Sequence, residues 1–167
     1  MQKALITGIT GQDGAYLAKS LLEKGIKVYG GQRRSTALRY WRLDEMGITK
    51  DIEFIELDLL DHANIRRAVE KVDPEFIYNL AAQSFVALSF EQPELTTLID
   101  AMGVLRCLEA IKQVNPKYGK LIYIKKIKDN LSKAYKITRN ENFNSKEYLF
   151  DVFSNFAIDQ QSEEFKF

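Results

Sequence analysis

Cysteine, histidine and tryptophan each occur once in this chain of 167 residues, and proline occurs three times. The lone thiol, Cys107, excludes an internal disulfide. Its segment, Val104 to Ile111, has helical apolar spacing, so Cys107 reads as a buried structural group and not a nucleophile. His62 opens a predicted helix and reads as a solvated helix start, and no metal site is expected. Charge of one sign is also missing. The 24 Lys and Arg against 23 Asp and Glu leave a net charge of +1, which argues for neither a nucleic-acid nor a membrane partner. No apolar run approaches the roughly 20 residues of a membrane helix. Met1-Gln2-Lys3 leads straight into a strand pattern with no signal peptide, so a cytoplasmic protein is expected.

What is present is an alternation of strand and helix over residues 1–124. Short apolar runs at Ala4–Ile6, Lys27–Tyr29, Phe54–Leu57, Phe76–Tyr78 and Lys120–Ile124 predict five strands. Between them, 15–24, 62–71 and 97–114 have helical periodicity; Gly25 stops the first helix, Asp61 caps the second and Asp73-Pro74 ends it. Crossovers of this length require parallel strands and right-handed connections. The expected fold is α/β, a Rossmann-like doubly wound sheet of order 3-2-1-4-5.

Proline and glycine then almost vanish. From Lys117 to Phe167 there is no proline and one glycine, Gly119. Turn residues of the kind that punctuate the first part are missing, so 125–167 is expected to be an atypical tail, helical or partly disordered. Asn144 and Glu147 suggest a capped helix with Leu149, Val152, Phe153 and Phe156 on its apolar face. The richness in Lys, Asn, Ile and Phe fits a shifted reading frame or a fusion.

The first strand runs into Thr7-Gly8-Ile9-Thr10-Gly11-Gln12-Asp13-Gly14 and then a helix. Glycines at this spacing let backbone approach a pyrophosphate, and the helix start supplies free N–H groups and partial positive charge. The second strand ends in Arg33-Arg34-Ser35-Thr36. A carboxylate there would accept from a ribose diol; two guanidiniums and two hydroxyls instead suit a 2′-phosphate, so NADP is favoured over NAD. Asp58-Leu59 follows the third strand, where a carboxylate can accept the adenine amino group and a leucine can pack on the ring. The small residues of Leu80-Ala81-Ala82-Gln83-Ser84 let ribose and nicotinamide lie against backbone.

Three runs carry a specific resemblance: Ile6 to Gly14, Tyr78 to Ser84, and Ser89-Phe90-Glu91-Gln92-Pro93-Glu94. Over residues 1–116 the chain resembles the GDP-mannose 4,6-dehydratases, extended short-chain dehydrogenases. The resemblance implies NADP contacts from Gly8 to Asp13, from Arg33 to Thr36, at Asp58 and Leu59, and from Leu80 to Ser84. It also implies GDP-mannose as substrate: hydride leaves sugar C4, water is eliminated across C5 and C6, and the hydride returns at C6. Dimers or tetramers are implied as well, and pairing with an intact paralogue is a further expectation for a chain of this kind. The family has a tyrosine where this chain has Leu95, which removes a phenol contact to the cofactor.

The reaction needs a base at the C4 hydroxyl and an acid–base group for the elimination. The resemblance implies a tyrosine with a lysine four positions on for the first and a Ser/Thr-x-Glu after the fifth strand for the second. Lys125-Lys126-Ile127-Lys128-Asp129 stands at the second position, and no Tyr-x-x-x-Lys occurs anywhere. Tyr135 is followed four residues on by Arg139, not by a lysine. No catalytic residue is therefore assigned, and the chain is expected to be a truncated cofactor-binding half, inactive alone. The alternatives are a non-catalytic dinucleotide-binding or partner subunit and a related nucleotide-sugar epimerase or reductase.

Overall fold

A computed structural model describes residues 1–35 and 40–114 in full and the backbone of 120–128, 131–140 and 143–153. Strand β1 (Lys3–Thr7) is buried from Ala4 onward, because helices cover both faces of a parallel sheet and its strands become continuous apolar runs. It pairs in parallel with β2 (Lys27–Gln32) on one side and β4 (Phe76–Asn79) on the other. Outside β2 lies β3 (Ile52–Glu56) and outside β4 lies β5 (Lys120–Lys128), both parallel, so the order 3-2-1-4-5 is observed.

Helix α1 (Gln12–Glu23) buries Gly14, Ala15, Ala18 and Leu21, and stops at Gly25, whose φ is +72°. On the same face Leu43, from the short α2 (Trp41–Glu45), joins Ile6, Ile9 and Val28. The opposite face is covered by α3 (His62–Val72) and α6 (Met102–Val114), which enclose Leu5, Ile55, Leu57, Ile65, Cys107 and Ile111. Asp61 caps α3 by accepting from the Asn64 backbone N–H at 2.9 Å. Two further helices, α4 (Val86–Glu91) and α5 (Pro93–Asp100), precede α6. The single helix expected over 97–114 is thus interrupted at Ala101. Burial pushes the Cys107 thiol up to about 11, which suits the expected inert packing role.

The segment read as a capped helix from Asn144 is corrected. Phe143–Phe153 forms strand β7, antiparallel to β6 (Leu131–Asn140), which is antiparallel to β5. Apolar spacing alone does not separate a helix from a strand over so short a run, and hairpin pairing with β6 decides for the strand. Phe156 lies outside the described residues.

Candidate functional site

A cleft of about 610 Å³ opens at the carboxyl ends of β1, β2, β3 and β4. That is the edge where ligands bind in open α/β sheets. The sharp turn after β1 is glycine-dependent. Gly8 has φ +68°, and a Cβ there would sit 2.8 Å from the Ala81 nitrogen. A Cβ on Gly14 would sit 2.7 Å from Ile9 Cα and would strike the Gly8 carbonyl oxygen. The first glycine therefore lets β1 and β4 close together, and the third lets α1 pack on the turn.

Thr7 fixes the same junction. Its buried hydroxyl donates to Asn79 Oδ1 at 2.7 Å and accepts from the Leu80 and Ala81 N–H groups at 3.0 and 3.1 Å. The turn after β3 is held by Asn64, whose Oδ1 accepts from the Asp58 N–H at 2.8 Å, while Asp58 Oδ1 accepts from the Leu60 N–H at 2.9 Å. From α2, Arg42 donates to the Thr10 carbonyl at 3.3 Å.

Of the residues singled out from sequence, Gly8, Thr10, Gly11, Arg33, Ser35, Asp58, Leu59, Leu80, Ala81, Ala82, Gln83 and Ser84 line the cleft. Ile9 does not, since its side chain is fully buried and fills the space above Gly30. Gln12, Asp13 and Gly14 begin α1 and lie outside the lining, as does the exposed Arg34. Thr36 lies outside the described residues. Gln83 does structural work: its Oε1 accepts from the Phe85 N–H at 2.7 Å and its Nε2 donates to the Phe85 carbonyl at 3.1 Å. Its own N–H donates to Asp100 Oδ1 at 2.7 Å.

The cleft also takes in Thr7, Gly31, Gln32, Leu57, Phe85, Leu88 and Ile99, none of which was singled out, together with Leu95. Phe85, Leu88, Leu95 and Ile99 give one end of the cleft an apolar wall. Tyr135 and Arg139 sit in strand β6. Four positions along a strand span about 13 Å, whereas four along a helix bring side chains within about 6 Å, so this pair cannot copy a helical Tyr-x-x-x-Lys.

The model of the family described as GDP-mannose 4,6 dehydratase matches residues 5–126. The chain belongs to this family. The GDP-mannose 4,6-dehydratase of Yersinia enterocolitica is 51% identical over 119 residues, covering 67% of this chain and 32% of that one. The same-named protein of Sinorhizobium fredii is 42% identical over 143 residues, covering 83% and 41%. Resemblance to the dehydratases thus passes the residue 116 at which it was expected to end. The chain spans about a third of the Yersinia relative's length. Among solved structures, Thermus thermophilus UDP-glucose 4-epimerase in complex with NAD is 28% identical with a TM-score of 0.59, over 70% of this chain and 35% of that one. No helix of the described residues is long and apolar enough to cross a membrane.

Proposed function

We propose that this chain is the NADP-binding half of a GDP-mannose 4,6-dehydratase, with residues 1–124 as the cofactor domain and 125–167 as an atypical tail without catalytic groups. The observation that carries the reading is the convergence of four strand ends on one cleft, each bringing a residue type suited to one part of a dinucleotide. The tight turn from Gly8 to Gly11 leaves room for a pyrophosphate beside the start of α1, where N–H groups lack helical partners. Arg33 and Ser35 offer charge-assisted donors to a 2′-phosphate. Asp58 offers a carboxylate to an adenine amino group, with Leu59 beside it. Leu80 to Ala82 and Ser84 present backbone and small side chains to the nicotinamide ribose, and Gln83 holds that loop in shape. Bound NADP⁺ would supply a reversible hydride acceptor.

Dehydration of GDP-mannose also needs a base at the C4 hydroxyl and an acid–base group at C5 and C6, each worth about 10²–10⁴-fold. No Tyr-x-x-x-Lys is present to supply the first, and Lys125 to Asp129 stands where the second would be. We therefore propose that the chain binds cofactor in the cytoplasm without turning over the sugar nucleotide by itself. The test is purified protein from a host whose own dehydratase is deleted, given GDP-mannose and NADP⁺. No 4-keto-6-deoxy product is the expected result. Turnover that follows this chain through purification contradicts it.

A further inference from the structure

Arg106 lies half-buried on α6, and its Nη1 donates to two backbone carbonyls, Leu59 at 3.0 Å and Leu98 at 3.1 Å. Neither acceptor belongs to its own helix. Leu98 sits in the last turn of α5, where carbonyls lack helical partners. Leu59 sits in the corner after β3, directly beside Asp58, and both line the cleft. One guanidinium nitrogen therefore ties the lip of the cleft to the α5–α6 joint.

Other contacts hold the corner from different directions. Asn64 on α3 grips the Asp58 N–H, and Asp58 closes its own turn on the Leu60 N–H. The Leu59 side chain packs so closely on α6 that a Cβ on Gly103 would lie 3.0 Å from Leu59 Cβ. These contacts fix the Asp58 backbone and the Leu59 side chain but leave the Leu59 carbonyl to Arg106. Rotation of that carbonyl would swing the peptide plane between Leu59 and Leu60, and with it the Leu60 N–H that orients the Asp58 carboxylate. Charged donors make stronger hydrogen bonds to carbonyls than neutral ones do.

We propose that Arg106 is a positioning residue for the adenosine end of the cleft: by holding the Leu59 carbonyl it sets the orientation of Asp58 toward an adenine ring. This rests on the cofactor reading above. It assigns Arg106 no contact with the ligand.

The test is calorimetric titration of the full chain with NADP⁺ and with adenosine 2′,5′-diphosphate, and NMR titration with nicotinamide mononucleotide. Arg106→Met is expected to weaken the first two about tenfold and to leave the third unchanged. Arg106→Lys keeps the charge and can reach one carbonyl, so its loss is expected to be smaller, roughly threefold. A merely structural role would weaken both halves of the cofactor alike, and that outcome overturns the proposal. So does wild-type affinity for adenosine 2′,5′-diphosphate in Arg106→Met. Should Arg106→Met fail to fold, Arg106→Lys decides by the same comparison of the two fragments. A wild-type chain that binds none of the three ligands overturns the cofactor reading and this inference with it; binding by the wild type with unaffected variants overturns this inference alone.

Discussion

The Thr7 hydroxyl donates to Asn79 Oδ1 at 2.7 Å and so joins the carboxyl ends of two adjacent strands, 72 residues apart in sequence. The same oxygen accepts from the Leu80 and Ala81 N–H groups, which begin the cleft's floor. Thr7→Val keeps the shape, removes the hydroxyl and leaves two half-buried donors and one acceptor without partners. A loss of about 2–4 kcal/mol is expected, read as a lower urea midpoint at unchanged m-value. Thr7→Ser, which keeps the hydroxyl, should recover most of it. Equal stability of Thr7→Val and wild type would show that water replaces these bonds.

The glycine turn and Arg33 were legible in the sequence because their signals are local: glycine spacing after a strand, and basic residues at the end of the next. Strand order followed from the alternation of elements. Thr7 gave no signal, since its partners lie across the sheet. Leu57, Phe85, Leu88 and Ile99 were missed because an apolar residue lining a cleft looks like one filling a core. Gln83 lines the cleft, but its side chain turns back onto Phe85, a contact that spacing does not reveal. At Ile9 the motif named a residue whose backbone shapes the turn while its side chain enters the core. The segment from Asn144 reads as helical because the spacing of its apolar residues allows it, and only pairing with β6, which spacing does not reveal, makes it a strand.

Alkaline pH should destabilise the fold through two buried acids. Burial raises Cys107 from an ordinary 9.0 to about 11, and raises Tyr78 from 10.0 to about 12. The unfolded chain releases each proton first, so stability is full below pH 9. It should then fall from about pH 9 to 11 through Cys107 and from about pH 10 to 12 through Tyr78, each at about 1.4 kcal/mol per pH unit. Urea midpoints measured across this range check the slope. Tyr78→Phe should flatten it above pH 10, and an unchanged slope in that variant would refute the assignment to Tyr78.

Leu95 lines the apolar end of the cleft, where the resemblance places a tyrosine. Leu95→Tyr should restore a phenol donor and tighten NADP⁺ by roughly fivefold, equivalent to about 1 kcal/mol. Calorimetry on the two proteins gives the comparison. Weaker binding by the tyrosine variant would mean that Phe85, Leu88 and Ile99 have closed the space the phenol requires.

The most direct measurement is a pair of calorimetric titrations, NADP⁺ and NAD⁺, on the wild type and on Arg33→Ala. Arg33 is exposed at the end of β2 and lines the cleft beside Ser35. A charge-assisted bond to a 2′-phosphate is worth about 1.5–3 kcal/mol, so NADP⁺ should bind the wild type at least about tenfold more tightly than NAD⁺. Arg33→Ala should erase most of that preference and leave NAD⁺ affinity near its wild-type value. Equal affinity of the wild type for the two cofactors, or no binding of either, would contradict the account.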